Sequence, residues 1–138
     1  MKINKIDHIS IAVKDLAKAQ KVWEPILGKD KPDDAYIDEG EKINVARYWL
    51  DGVGLELMES TSPDGEVAKF IEKRGEGIML ISLNVDNTRA AIAELEGKDY
   101  PIIGGARQFQ DCEFAFIHPK KVNGVLLEVI DYKWDELK

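Results

Sequence analysis

The sequence is poor in features that several classes of protein require. Its single cysteine, Cys112, excludes an internal disulfide and makes a reducing cytoplasm the expected compartment. We interpret Cys112 as a half-buried strand thiol rather than a reactive group. The apolar runs are only as long as a strand, and residues 1–4 lack the charged and apolar regions of a signal peptide. We therefore expect neither a transmembrane segment nor a leader.

Positive charge is also scarce. There are 19 Lys and Arg residues against 26 Asp and Glu residues, and the net charge is −7. Nucleic acids and anionic membranes bind clustered basic residues, so this balance argues against both as partners. The 138 residues, of which 44% are hydrophobic, are enough for a proper core. We expect one compact domain over residues 1–138.

What the sequence does contain is a repeated strand pattern. In residues 6–13, apolar positions alternate with smaller or polar ones, which predicts a β-strand with an inward-facing His8. The pattern returns 72 residues later, at residues 78–85. There the position equivalent to His8 is occupied by Leu80.

A second pair of segments repeats with the same offset. Residues 127–130 repeat residues 55–58, so that Glu128 and Glu56 are equivalent and 72 positions apart. Internal duplication of this kind carries information about the whole fold, whereas the propensities of single elements do not. It predicts an α+β protein made of two βαβββ modules, residues 3–60 and 76–131. We expect the modules to be related by pseudo-twofold symmetry, each contributing a curled mixed sheet to a shared cleft.

Turn and capping residues predict where individual elements begin and end. The dipeptide Asp51-Gly52 between two strand-like runs predicts a tight hairpin. Ser62 and Pro63 predict the start of a helix, and Asn87 that of another. We expect a glycine-rich loop at residues 104–105.

The two glutamates of the repeat are the candidate chemical groups. A carboxylate within an apolar strand is costly to bury unless it is hydrogen-bonded, paired with a cation or bound to a metal. The alternation along each strand also permits Glu56 and Glu128 to face solvent. The repeat favours the other alternative, in which both project onto the same surface as His8. One histidine and two glutamates match the ligands of a divalent cation such as Zn, Co, Ni or Mn.

Three parts of the chain resemble the methylmalonyl-CoA epimerase family of the vicinal-oxygen-chelate superfamily, which also contains glyoxalase I and the extradiol dioxygenases. The similarity extends from about residue 3 to residue 131. The segments that carry it are Asp7 to Leu16, Thr61 to Asp64 with Val67 to Ile78, and His118 to Lys120 with Gly124 to Glu128.

This resemblance implies an isomerase that removes the proton between the thioester and carboxylate of an acyl-CoA and returns it on the other face. A divalent metal would stabilise the enolate, and carboxylates would carry the proton. By motif, the metal ligands would be His8, Glu56 and Glu128, and the proton-transfer groups Glu128 and Glu56. The fourth ligand position is Leu80, and leucine cannot coordinate a metal. By analogy we expect a homodimer with a small-molecule substrate, an acyl-CoA.

Two alternatives remain open at this point. One is a lyase resembling glyoxalase I, and the other is a metal-free small-molecule binding or resistance protein of the same fold. The epimerase-like stretch of residues 61–78 favours the isomerase over the lyase. Leu80 favours the binding protein.

Overall fold

The computed structural model describes residues 1–133, and the charged tail with Trp134 that follows lies outside them. Residues 1–133 form eight strands, three α-helices and one 3-10 turn. In chain order these are β1 (Ile3–Ala12), α1 (Leu16–Leu27), β2 (Asp34–Asp38), β3 (Ile43–Leu50), β4 (Val53–Ser60), α2 (Glu66–Arg74), β5 (Gly77–Val85), α3 (Thr88–Gly97), β6 (Ile102–Phe109), β7 (Cys112–Ile117), the 3-10 turn (Pro119–Lys121) and β8 (Leu126–Ile130).

The chain divides into two compact units. We call the unit of residues 9–50 and 54–79 the N-terminal unit. The other, the C-terminal unit, holds residues 1–8, 51–53 and 80–133. β1 belongs to both, because it is divided after His8.

In the N-terminal unit, the strands pair in the order β2, β3, β4, β1. α1 begins where the side chain of Asp15 accepts a hydrogen bond from the backbone N–H of Lys18, and it ends at Gly28 in the left-handed conformation. Its apolar side packs on a core that includes Tyr48 and Leu57, both with no exposed surface.

In the C-terminal unit, the strands pair in the order β1, β5, β8, β7, β6. β5 and β8 are parallel, with Ser82 opposite Glu128, whereas β8 and β7 are antiparallel. α3 packs through Ala91 on a core that contains Val85 and Val129. This parallel pair is what positions Glu128.

The duplication predicted from the sequence is confirmed. α1 begins at Leu16 and α3 at Thr88, again 72 residues apart, and both helices have a side-chain cap one residue earlier. Each helix follows a long strand and is followed by three strands. The architecture is therefore α+β with two βαβββ modules.

The predicted start of α2 was wrong. The helix begins at Glu66, after Gly65, and not at Ser62 and Pro63. The hydroxyl of Ser62 donates a hydrogen bond to the carboxylate of Asp64, and the backbone N–H of Gly65 donates one to the carbonyl of Ser62. These bonds form a turn before the helix. The cap comes from Ser60, whose Oγ accepts a hydrogen bond of 2.7 Å from the backbone N–H of Ala68.

The prediction of a glycine-rich loop at residues 104–105 was also wrong. Gly104 and Gly105 lie inside β6, which pairs with β7. The register shifts between Ile103 and Arg107, and both glycines have φ near +70°. Glycine is needed here because the bulge places two successive residues in a conformation that other side chains rarely adopt.

Among residues 1–133, every helix is too short or too polar to cross a membrane.

Candidate active site

The first cluster of candidate residues lies in the C-terminal unit, around His8. β1 buries both Asp7 and His8, with 0% and 6% of their surface exposed. Oδ1 of Asp7 is 2.7 Å from Nδ1 of His8. Oδ2 of Asp7 accepts a hydrogen bond of 2.8 Å from the side-chain amide of Asn84 on β5. Asp7 is thus held in place and orients the imidazole.

Glu128, on β8, lies at the other nitrogen of the same imidazole. Its Oε1 is 3.2 Å from Nε2 of His8, and the residue is only 6% exposed. The approach does not have the direction of a hydrogen bond, and Oε1 has no hydrogen-bond partner among the described residues. The buried hydroxyl of Ser82, opposite Glu128, also has none in that part of the chain. Buried polar atoms are usually satisfied, so two neighbouring exceptions indicate a functional position.

The chemistry of this cluster follows from its order, Asp7, His8, Glu128. An ionised aspartate can only accept, so the proton at Nδ1 of His8 is directed to Asp7. Nε2 then faces the carboxylate of Glu128. A carboxylate beside an imidazole whose other nitrogen is fixed can accept and return a proton.

The second cluster lies in the N-terminal unit, around Glu56 on β4. Glu56 is 2% exposed. Its Oε1 accepts a hydrogen bond of 3.0 Å from the hydroxyl of Ser10. Its Oε2 is 2.6 Å from Nε and 2.5 Å from Nη2 of Arg47, which is itself 3% exposed. Both oxygens of Glu56 are therefore engaged, and its charge is balanced by a buried guanidinium.

Arg47 is held by further contacts from β2 and β3. Nη2 donates to the hydroxyl of Tyr36 at 2.8 Å, and Nη1 is 3.6 Å from the carboxylate of Asp34. The guanidinium carbon is 5.0 Å from the ring centre of Tyr36 and 5.6 Å from that of Trp49. Burial acts to lower the pKa of Arg47, but Glu56, Tyr36 and Asp34 outweigh it and raise the pKa above its ordinary value. Arg47 is thus a permanent cation.

Sequence reasoning missed Arg47, although a signal was present. The predicted hairpin has the two-residue loop Asp51-Gly52, which places Leu50 opposite Val53. Counting outward from the loop places Arg47 opposite Glu56, where cross-strand side chains interact. The ion pair was therefore predictable from the hairpin.

The individual site predictions fare differently. The inward orientation of His8 is confirmed, and the alternative that Glu56 and Glu128 face solvent was wrong, because both are buried. The structure brings His8 and Glu128 together, and it places Glu56 with Ser10 and Arg47. The roles of the three residues as ligands or proton-transfer groups stay predictions.

The donors at these positions do not fit the divalent cation that the sequence resemblance implies. Both oxygens of Glu56 already accept hydrogen bonds, one from Ser10 and the other from Arg47. Leu80 is buried, lies opposite Leu126 and offers no donor atom. Within residues 1–133, no group of three or more His, Cys, Asp or Glu side chains is arranged to hold a metal ion.

Fold and sequence together define the class of protein. Residues 7–116 match the family model of the Glyoxalase/Bleomycin resistance protein/Dioxygenase superfamily. The chain belongs to this superfamily, as its two βαβββ modules also indicate.

Comparison with individual proteins narrows the relationship. The chain is 32% identical over 136 residues to the uncharacterized protein YqjC of Bacillus subtilis, covering 97% of this chain and 96% of YqjC. It is 28% identical over 130 residues to the mitochondrial methylmalonyl-CoA epimerase of Homo sapiens, covering 92% and 73%. It is also similar to the structure of Streptomyces coelicolor methylmalonyl-CoA epimerase in complex with 2-nitronate-propionyl-CoA. The TM-score is 0.85 at 27% identity, covering 94% of this chain and 98% of that one. The resemblance to methylmalonyl-CoA epimerases is confirmed.

Proposed function

We propose that this protein is an isomerase that moves a proton at the carbon between the thioester and the carboxylate of a 2-substituted malonyl-CoA. Two findings support the proposal. The relatives with an assigned activity are methylmalonyl-CoA epimerases, and one of them is bound to an acyl-CoA analogue. The buried cluster of Asp7, His8 and Glu128 supplies the kind of group that such a reaction needs.

The single observation that carries the proposal is the state of Oε1 of Glu128. It is buried beside His8 and has no hydrogen-bond partner among the described residues. An oxygen of a carboxylate that no donor occupies has a lone pair with which it can accept a proton. Glu128 is therefore the proposed proton acceptor.

The proposed step balances as follows. The proton leaves the substrate carbon for Oε1 of Glu128, and the electron pair of the broken C–H bond moves into the thioester carbonyl as an enolate. A proton from solvent water then adds to the other face of that carbon and inverts its configuration, and Glu128 releases its proton to solvent, which restores the carboxylate. The imidazole of His8, oriented by Asp7, lies beside Oε1 of Glu128. It can stabilise this oxygen both when it is protonated and when it is deprotonated.

The sequence resemblance assigns proton transfer at the opposite face to Glu56, but as the anion paired with Arg47 Glu56 holds no proton to donate. The resemblance also predicts Glu56 as a metal ligand with His8 and Glu128, a role that is not part of the proposed step. Its pairing with Arg47 does not favour the ligand role. The homodimer and the cytoplasmic location also stay predictions.

Proton exchange tests the proposal directly. Methylmalonyl-CoA is incubated with the protein in deuterated water, and loss of the C2 proton signal is followed by NMR. We expect the wild type to incorporate one deuterium at C2. We expect Glu128→Gln to reduce the exchange rate by about 10²–10⁴-fold, the range for loss of a general acid or base.

A matched control is available in the same unit. Glu113, on β7, pairs with the exposed Arg89 at 2.7 Å and is no part of the cluster. Glu113→Gln should leave the exchange rate unchanged. If the wild type catalyses no exchange with either methylmalonyl-CoA or ethylmalonyl-CoA, the proposal is wrong.

A second candidate function is a metal-free small-molecule binding protein. It is favoured by Leu80 at a predicted ligand position and by the engagement of Glu56 with Arg47. Saturable binding of methylmalonyl-CoA by the wild type, without exchange at C2, would support it. No comparable observation favours the lyase resembling glyoxalase I.

A further inference from the structure

We infer that Arg47 supplies, next to Glu56, the fixed positive charge that a divalent cation would otherwise supply, so that Glu56 is the anionic half of a buried ion pair and not a metal ligand. This inference concerns the charge beside Glu56 and does not depend on which reaction the protein catalyses.

The geometry at Glu56 leaves little for a metal ion to bind. A ligating carboxylate must direct an oxygen lone pair at the metal. Oε2 of Glu56 faces both Nε and Nη2 of Arg47, at 2.6 and 2.5 Å, and Oε1 receives the hydroxyl of Ser10 at 3.0 Å. The two lone pairs of Oε2 are therefore taken by the guanidinium, and Oε1 accepts a hydrogen bond in a residue that is 2% exposed.

The charge of Arg47 opposes a second cation at the same carboxylate. A guanidinium does not lose its proton in proteins, so its charge persists at every pH at which the protein is folded. A divalent ion on either oxygen of Glu56 would lie only a few ångströms from that charge. Their repulsion is strong in a buried setting, where water does not screen it.

Several side chains hold the guanidinium of Arg47 in one position. In the β2–β3 pairing, Arg47 lies opposite Asp34, and Tyr36 lies two residues further along β2. The hydroxyl of Tyr36 accepts from Nη2, and the rings of Tyr36 and Trp49 flank the guanidinium carbon. Planar stacking and a fork of donors are properties of arginine that lysine lacks. The pocket is therefore specific to a guanidinium.

The two halves of the repeat make the same point. Glu128 is the repeat equivalent of Glu56, but its neighbours are His8 and Ser82 and not an arginine. Ser10 and Ser82 are equivalent positions, yet the hydroxyl of Ser10 donates to Glu56, whereas that of Ser82 has no partner among the described residues. Of the two equivalent glutamates, Glu56 is paired with an arginine and Glu128 lies against a histidine.

Metal titration of the intact protein tests the inference. The protein is dialysed against a chelator, and Co²⁺ binding is followed by calorimetry and by the visible absorbance of the ion. The variants are Glu56→Gln and the matched control Glu113→Gln. We expect Co²⁺ affinity to be the same within twofold in wild type, Glu56→Gln and Glu113→Gln. We also expect the Tm of the wild type to be unchanged by chelator.

The opposite result is equally clear. If the wild type binds one Co²⁺ and Glu56→Gln weakens that binding by tenfold or more, while Glu113→Gln does not, Glu56 is a ligand and the inference is wrong. If Glu56→Gln does not fold because Glu56 no longer balances the charge of Arg47, the double variant Arg47→Met/Glu56→Gln is measured in its place. It has neither buried charge and is judged by the same criterion. These readouts are independent of catalysis, so they are unaffected if the proposed isomerase activity is absent.

Discussion

Removing one partner of the Arg47–Glu56 pair should destabilise the protein far more than removing both. Glu56→Gln removes the carboxylate that lies 2.5 Å from the guanidinium of Arg47, which is 3% exposed and keeps Asp34 at 3.6 Å. Arg47→Met removes the cation beside the carboxylate of Glu56, which is 2% exposed. Loss of one member of a buried pair typically costs about 3–5 kcal/mol. The double variant Arg47→Met/Glu56→Gln buries no charge, so its cost should be well below the sum of the two.

The size of the effect can be converted into melting temperature. For a chain of 138 residues, an unfolding entropy of about 2.1 cal/mol/K per residue gives a change in Tm of roughly 3.4 °C per kcal/mol. Each single variant should therefore melt about 10–17 °C below the wild type. The coupling between the two sites should be at least about 2 kcal/mol, near the upper part of the range for residues in contact.

The assay is guanidinium denaturation and thermal melting of the four proteins in one buffer. The exposed pair of Arg89 and Glu113 provides a reference, because Arg89 is 72% exposed and screened by water. Glu113→Gln should cost much less than Glu56→Gln. The reasoning is refuted if the two variants lose equal stability, or if the losses of Arg47→Met and Glu56→Gln simply add.

Two further predictions concern residues outside the site. Burial, together with the negative charges of Asp131 and Asp111, raises the pKa of the Cys112 thiol to about 12. Because only the thiolate reacts, alkylation by iodoacetamide at pH 8 should be negligible in the native protein and rapid in guanidinium; rapid native labelling would contradict the predicted burial of the thiol. Gly28→Ala should destabilise by about 1–2 kcal/mol, since Gly28 has φ +68°. Gly97→Ala, at a helical glycine with open space around its Cα, should stabilise by about 0.5–1 kcal/mol in the same denaturation assay; equal effects at both positions would contradict this.

The parts of the fold that were predictable depend on neighbours along the chain. A strand has a side-chain period of two, so residues 6–13 and 78–85 revealed both strands and their repeat. The caps of α1 and α3 act over three residues, from Asp15 to Lys18 and from Asn87 to Ala90. Interactions of such short range leave a pattern in the sequence.

The errors arose where a distant residue provides the decisive bond. α2 begins at Glu66 because the hydroxyl of Ser60 caps the backbone of Ala68, eight residues away. The glycines of β6 were interpreted as a loop because the same residues occur in loops and in bulges. Pairing with β7 decides between these two outcomes, and pairing partners are not a local property.

The sequence by itself determined the α+β architecture, the duplication with an offset of 72 residues, and the position of a carboxylate within an apolar strand of each module. It established this much because period, spacing and composition are properties of the chain. Which group Glu128 meets, and that both carboxylates are buried, was decided only by the tertiary structure. Glu128 meets His8, which is held by Asp7 and Asn84. Glu56 meets Arg47, because strand pairing brings those two side chains together in a buried setting where an unpaired charge is too costly.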